Sequence, residues 1–364
     1  MLFDSKPING VSPNYRAIAI VGVFILTVWI YFVPPWGSSH PNTDGTYVAG
    51  GSSSSGTSPR ELAANATLGF QTILALSTGP SWRSRGLNAA AKYVGIQVQY
   101  PPQPRNPESL VEAFQKIGAG EGKTTPAKGS ATAWFAHLDL LKHFIASDLE
   151  TAFIVEDDVD FDVNIKQQIR LASDNVRNFT KVTDGSPWGK EWDMLWLGHC
   201  GTAMVEAGQQ EGLRYRDNSR CKTDLYSGWS KHFLRDFLEE DHRIVQWAGF
   251  MTVCTFGYGV HRDSAQKILD ITAAGADEAF DVALSHACGT GKLKCLVVNP
   301  QMFNHYEPSK DSGYLSEVHI GDGQGAGADD AKVEKSMGTT GNIMQSARCK
   351  VLFNNRCMRP PSEI

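Results

Sequence analysis

TAFIVEDDVDFD, residues 151–162, ends an apolar, strand-like run in five acidic residues: Glu156, Asp157, Asp158, Asp160 and Asp162. Like charges this close repel and raise one another's pKa values, so a positive partner is expected at this strand end. No Lys or Arg lies between Lys142 and Lys166 to supply it locally. In an open α/β sheet the carboxyl ends of strands are where ligands bind. The acidic run is therefore the first candidate site, and the elements around it decide the fold.

Working outward, the pattern predicts a strand at 70–77, a helix at 84–94 and a short strand at 96–100. A helix at 107–117, a Gly-rich loop at 118–129 and a helix at 130–146 precede the acidic strand. After it come a helix at 163–177, a strand at 192–197 and an apolar stretch at 249–258. Helices at 263–273 and 278–288 and a strand at 294–299 complete the body. Strands separated by helices point to an α/β fold with a mostly parallel sheet and helices on both faces. Residues 321–364 open on a Gly-, Ala- and Asp-rich run and are expected to form a mobile tail.

The chain has 364 residues and a net charge of −5, ordinary for a globular protein. With no basic run there is no footprint for nucleic acid. Residues 17–33, AIAIVGVFILTVWIYFV, are uncharged and apolar, and as a helix they span about 25 Å. Tyr31 and Trp36 suit a membrane interface, and Pro34–Pro35 stop the helix. Lys6 and Arg16 precede the run and no Lys or Arg follows before Arg60, which predicts a type II anchor (17–36) with a cytoplasmic N-terminal tail (1–16) and everything after it in a lumen. A cleaved signal peptide is the rival reading. Residues 37–66, with GGSSSSGTSP, read as a flexible stem before a body at 67–320. Asn65-Ala-Thr67 and Asn178-Phe-Thr180 match glycosylation acceptors. All seven Cys follow the anchor, where disulfides persist. Cys200–Cys221 and Cys349–Cys357 are the expected bridges, with Cys254 a buried thiol. No C-x-x-C spacing suggests zinc.

An EF-hand starting at Asp158 needs Gly at 163 and Glu at 169, where the chain has Val163 and Ile169. GEGKTT (120–125) lacks the first Gly of a phosphate loop, that position being Ile117. A hard divalent ion held by one or two carboxylates, with phosphate oxygens and water filling its shell, suits the acidic run better.

GSATAWFAHLDLLKHFI, TAFIVEDDVDFD, WDMLWLG, TFGYGVHRDSAQKIL and FDVALSHACGTGKLKCLVVNP, in that order, resemble glycosyltransferase family 25, over about residues 70–305. That family includes lipooligosaccharide and procollagen galactosyltransferases. The resemblance implies a GT-A-like, Rossmann-type fold, a nucleotide-sugar donor (UDP-galactose in the best-known members), and Mn²⁺ or Mg²⁺ held by a D-x-D-like motif. Here that motif reads Glu156-Asp157-Asp158, with Asp158–Asp160 a second D-x-D. Glu156 and Asp157 are expected at the donor, and Asp158 and Asp160 at the metal. Arg83 and Arg85 are the local candidates for touching the donor, standing where the family has an Asp-Arg and a charged run. Asp281 in FDVAL matches the family's acid before the helix and becomes the candidate general base, with Asp277 and Glu278 as neighbours. His305, after the last predicted strand, is a candidate third metal ligand, as a late-chain His is in many GT-A enzymes. With the anchor, the resemblance implies a Golgi membrane enzyme whose acceptor is a glycan or glycoprotein. The alternatives are a lumenal sugar-binding domain without catalysis and a metal-dependent phosphate-ester hydrolase.

Overall fold

The computed structural model describes residues 57–359 except Glu121, 205–211, Leu315, Glu317 and 319–328. The predicted anchor at 17–36 lies outside the described residues. Among those described, no helix is long and apolar enough to cross a membrane.

The elements run α1 (Pro59–Ala63), β1 (Thr72–Leu76), α2 (Trp82–Val94), α3 (Glu108–Ile117), α4 (Lys128–Ala146), β2 (Thr151–Glu156), β3 (Val159–Phe161) and α5 (Ile165–Thr180). Then follow β4 (Met194–Gly198), β5 (Gly212–Arg216), α6 (Lys231–Phe237), β6 (His242–Trp247), β7 (Gly257–His261), α7 (Arg262–Thr272) and α8 (Phe280–Gly289). The chain closes with β8 (Cys295–Asn299), β9 (Phe303–Glu307), α9 (Asp330–Lys335), β10 (Thr339–Thr340) and α10 (Ala347–Phe353).

The main sheet has the order β1-β2-β7-β4-β8-β6-β5. It is mixed, which corrects the expectation of a mostly parallel sheet. β1–β2 and β4–β8 are parallel, while β2–β7, β7–β4, β8–β6 and β6–β5 are antiparallel. β7 enters by a loop after β6 rather than by a helical crossover, and so runs against both its neighbours. The α/β class and the helices on both faces hold. One face packs Ile73, Phe153, Val155 and Leu195 against α2 and α5. The other packs Leu74, Ile154, Trp196 and Tyr258 against α4, α7 and α8. Such double coverage explains why β1 is buried at every position.

After β2 the chain turns at Asp157–Asp158 and leaves the main sheet, because β3 pairs antiparallel with β9, and β9 pairs with β10. Because β9 also pairs with β4, the acidic run lies at the corner where the sheet branches. The predicted strand at 96–100 is reduced to a single bridge, Leu74 to Gln99.

Both ends of the body differ from expectation. Pro59–Ala63, assigned to the stem, is a helix capped by Ser58 that joins the core through Ala63. Residues 329–359, assigned to a mobile tail, supply α9, β10 and α10, with Cys349 and Cys357 in a packed cluster with Trp82 and Tyr306. The disulfides are Cys200–Cys254, Cys288–Cys295 and Cys349–Cys357. Only the last was expected. The free thiol is Cys221 and not Cys254, since β7 and β4 run side by side and bring the loops carrying Cys200 and Cys254 together.

Candidate active site

The five acids of 156–162 divide by the direction of the chain. Glu156 and the Asp157–Asp158 turn face the corner, whereas Asp160 and Asp162 tie the C-terminal segment down. Asp160 is fully buried. One of its oxygens accepts from the Thr340 hydroxyl at 2.7 Å and from the Ser346 hydroxyl. The other accepts from the N–H groups of Arg348 at 3.1 Å and Phe161 at 2.8 Å. Four donors use up its lone pairs, so the expectation of Asp160 as a metal ligand is corrected: it is an anchor for residues 339–348. Asp162 accepts from the N–H of Asn164 and of Gln345, both at 2.9 Å. It orders the entry to α5 and holds the same segment.

That segment delivers the cation the sequence asks for. Arg348, on α10, is buried, with its guanidinium over the rings of Trp82 at 5.5 Å and Tyr306 at 4.9 Å. One arm reaches the Asp158 carbonyl at 3.5 Å and another donates to the Arg83 carbonyl, while Nε is buried without a partner. Burial lowers its pKa, and the charges of Asp160, Asp158 and Asp157 oppose that shift.

Of the predicted donor contacts, Arg83 is at the site and Arg85 is committed elsewhere. Arg83 donates to the Tyr314 hydroxyl at 2.9 Å and lies over the Trp82 and Tyr314 rings. Its charge, with that of Arg348, acts on Asp157. Arg85 forks onto Glu334 at 2.5 Å and Asp330 at 2.9 Å, both on α9, and thereby holds α9 against α2.

Burial and the neighbouring Asp158 charge push Asp157 up to about 7, with Ser77, Arg83 and Arg348 pulling the other way. Burial, with the charges of Asp158, Asp281 and Asp157, pushes Glu156 up to about 8, opposed by a hydrogen bond from Thr255. Asp158 Oδ1 is buried with no partner. The fold thus gathers Glu156, Asp157, Asp158 and Asp281 at one place, although Asp281 lies on α8 and the others follow β2. Asp281 Oδ2 accepts from the Cys254 N–H at 2.7 Å. Of the neighbours that competed for its role, Asp277 pairs with His286 at 2.6 Å.

Behind Glu156 runs a buried relay. The Thr255 hydroxyl donates to Glu156 Oε1 at 2.9 Å and meets His137 Nε2 at 3.1 Å, while His137 Nδ1 meets the Tyr258 hydroxyl at 3.0 Å. Burial drops His137 to about 3, so the ring is neutral and serves as a hydrogen-bond connector. In the sequence His137 falls inside GSATAWFAHLDL and Thr255 inside TFGYGVHRDSAQKIL, neither with a role, and Arg348 goes unnoticed. An isolated Thr carries no signal, and Arg348 sat in a segment read as tail.

His305 on β9 lies across from Val159, next to the acidic turn, since Tyr306 N–H donates to the Asp158 carbonyl at 2.9 Å. Its Nε2 is bound to Glu307 at 2.6 Å and its Nδ1 is buried without a partner. Burial would raise Glu307, but hydrogen bonds from His305 and Arg359 bring it down to about 2.

Among the described residues no group of three His, Cys, Asp or Glu side chains is placed to hold a metal ion on its own. The donor set still fits the sparse mode of hard divalent ions. Asp157 and Asp158 offer hard oxygens, one of them buried and unpartnered, and phosphate and water fill the rest of the shell.

No family model matches the chain, and no curated protein matches it. Among solved structures, A197 from STIV aligns at 11% identity over 65% of this chain and 83% of its own, with a TM-score of 0.29. The inositol-1-phosphate CTP transferase from T. maritima aligns at 9% identity over 74% of this chain and 98% of its own, also at 0.29. Likeness at this level carries no functional weight.

Proposed function

We propose that this chain is a glycosyltransferase that moves a sugar, galactose in the first instance, from a nucleotide-diphosphate donor to a glycan or glycoprotein acceptor. The observation that carries the reading is the convergence of Glu156, Asp157, Asp158 and Asp281 at one strand end, with Glu156 and Asp157 pushed up to about 8 and about 7. A divalent ion relieves that crowding, and Asp157 and Asp158 would hold Mn²⁺ or Mg²⁺. When bound, the ion offers its charge to the departing diphosphate. Arg83 adds positive charge beside Asp157 for the donor phosphates, its guanidinium steadied by Trp82 and Tyr314. The Cys254 N–H fixes the rotation of Asp281 and leaves Oδ1 to take the proton of the acceptor hydroxyl as general base. His305, its Nε2 held by Glu307, has Nδ1 for a further contact. Three disulfides in the body support an oxidising compartment. With the apolar run at 17–33, this favours a Golgi membrane enzyme.

The test is a panel of UDP- and GDP-sugars with Mn²⁺ on the full chain, reading free nucleotide with and without glycan acceptors. Acceptor-dependent release that vanishes in EDTA and in Asp158→Asn is expected. Release at the same rate without acceptor would make the chain a phosphate-ester hydrolase, and none with any donor would leave a sugar-binding domain.

A further inference from the structure

Glu156 and Asp281 come from different elements, the end of β2 and the first turn of α8, yet both are gripped by consecutive residues. Cys254 donates its N–H to Asp281 Oδ2 at 2.7 Å, and Thr255 donates its hydroxyl to Glu156 Oε1 at 2.9 Å. Backbone strain marks the place: Cys254 has φ +67°, a left-handed conformation that a non-glycine residue holds only when its surroundings impose it. The surroundings are specific. Cys254 is bridged to Cys200 across a Cα–Cα distance of 5.5 Å. The Cys200 N–H donates to the Val253 carbonyl at 2.9 Å, and Trp196 Nε1 donates to the Cys254 carbonyl at 2.9 Å.

On the far side Thr255 is backed by His137 and Tyr258. The chain of donors has a consistent direction. With Glu156 ionised, as beside a bound cation, Tyr258 O–H gives to His137 Nδ1, His137 Nε2–H gives to Thr255, and Thr255 O–H gives to Glu156.

We infer that the Cys200–Cys254 disulfide, acting through Cys254 and Thr255, sets the spacing and rotation of the Glu156–Asp281 carboxylate pair. Cys254 and Thr255 are positioning residues, and the bridge is part of the site's construction as well as of the fold's stability. A strained segment carrying two carboxylate contacts relaxes once its tether opens, and both carboxylates then turn with it. The inference rests on the transferase reading for what the pair does to substrate, and on geometry alone for how it is held.

The test uses the full chain and two independent readings. Cys200→Ser opens the ring and keeps the Cys254 N–H. Thr255→Val keeps the shape and removes the hydroxyl, and Thr255→Ser returns it. By NMR, the Cys254 amide proton should exchange ~10-fold or more faster in Cys200→Ser, with the amides of α4 unchanged. The Glu156 carboxyl carbon signal should move in Thr255→Val and return in Thr255→Ser. In turnover, Cys200→Ser and Thr255→Val should each lose ~10-fold or more in kcat with donor KM unchanged, and Thr255→Ser should recover most of it. Unchanged Cys254 exchange in a folded Cys200→Ser protein would overturn the inference. So would a Glu156 signal that ignores Thr255→Val, which decides the matter if Cys200→Ser does not fold. If the wild type transfers no sugar, the transferase reading falls, and the two NMR signals still decide this one.

Discussion

Gly86 and Arg348 compete for one volume: an ideal Cβ on Gly86 would lie 2.2 Å from Arg348 Nη2 and 2.3 Å from its Nε. Gly86 sits inside α2, where replacing Gly by Ala ordinarily stabilises a helix by about 1 kcal/mol. Here the methyl must displace a guanidinium pinned between Trp82 and Tyr306 and bonded to the Arg83 carbonyl. The clash outweighs the propensity gain. Gly86→Ala should therefore destabilise the chain by about 1–3 kcal/mol in urea unfolding. A stabilised protein would show that Arg348 has room to move aside. The glycine in WRSRGLNAAAKYV looks like a defect in a helix until the residue that needs the space, more than 250 positions later, is known. Nothing local in the sequence carries that information.

At the scale of elements, Asp160 decides whether the C-terminal segment belongs to the body. It joins β3 to β10 and α10 through Thr340, Ser346 and the Arg348 N–H. Asp160→Ala leaves buried hydroxyls and an N–H without an acceptor beside a buried Arg348, and should cost about 3 kcal/mol or more. Limited proteolysis of the variant should cut first within 336–357, with α4 and α5 still protected. Equal loss of protection everywhere would mean that the segment folds only with the whole body. The sequence carries strong signals where its period is long and clean. The helix expected at 130–146 is Lys128–Ala146, and the strand expected at 151–155 is Thr151–Glu156. It carries weak ones where strands are short and polar-rich, as in HRIVQW of β6 and FNHYE of β9. Missing these hid the antiparallel pairings. The Gly-rich stretch at 321–328 carries no signal that order resumes after it, although the expected Cys349–Cys357 bridge implies an ordered clasp. The clustering of acids after the strand was legible, but its division between a corner and a C-terminal anchor was not. That division depends on β3 turning away to β9, a long-range pairing with no local period.

Across the whole molecule, the site makes stability depend on pH in opposing ways. His137 falls from 6.5 to about 3 on burial. The unfolded chain binds the proton more readily, so this contribution is complete above about pH 6.5 and is lost as pH falls toward 3. Glu156 and Asp157 work in the other direction, rising from 4.5 to about 8 and from 3.8 to about 7. Their folded forms hold protons that the unfolded chain releases. Their contribution is complete below about pH 4 and is lost as pH rises through about 7 to 8. Above about pH 4.5 the two raised carboxyls outweigh the one lowered imidazole, so without metal these groups should place the stability maximum near about pH 4 and make it decline toward about pH 8. A divalent ion needs the carboxylates ionised and acts on the upper limb alone. Calorimetric Tm values with and without millimolar Mn²⁺ should therefore differ little near about pH 5 and most near about pH 8, where the metal-free decline flattens. Asp158→Asn should retain the His137 limb and lose most of the Mn²⁺ gain. A gain of equal size at both pH values, or one that survives Asp158→Asn, would mean that Mn²⁺ binds away from this strand end and that Arg83 and Arg348 are the cations of the acidic corner.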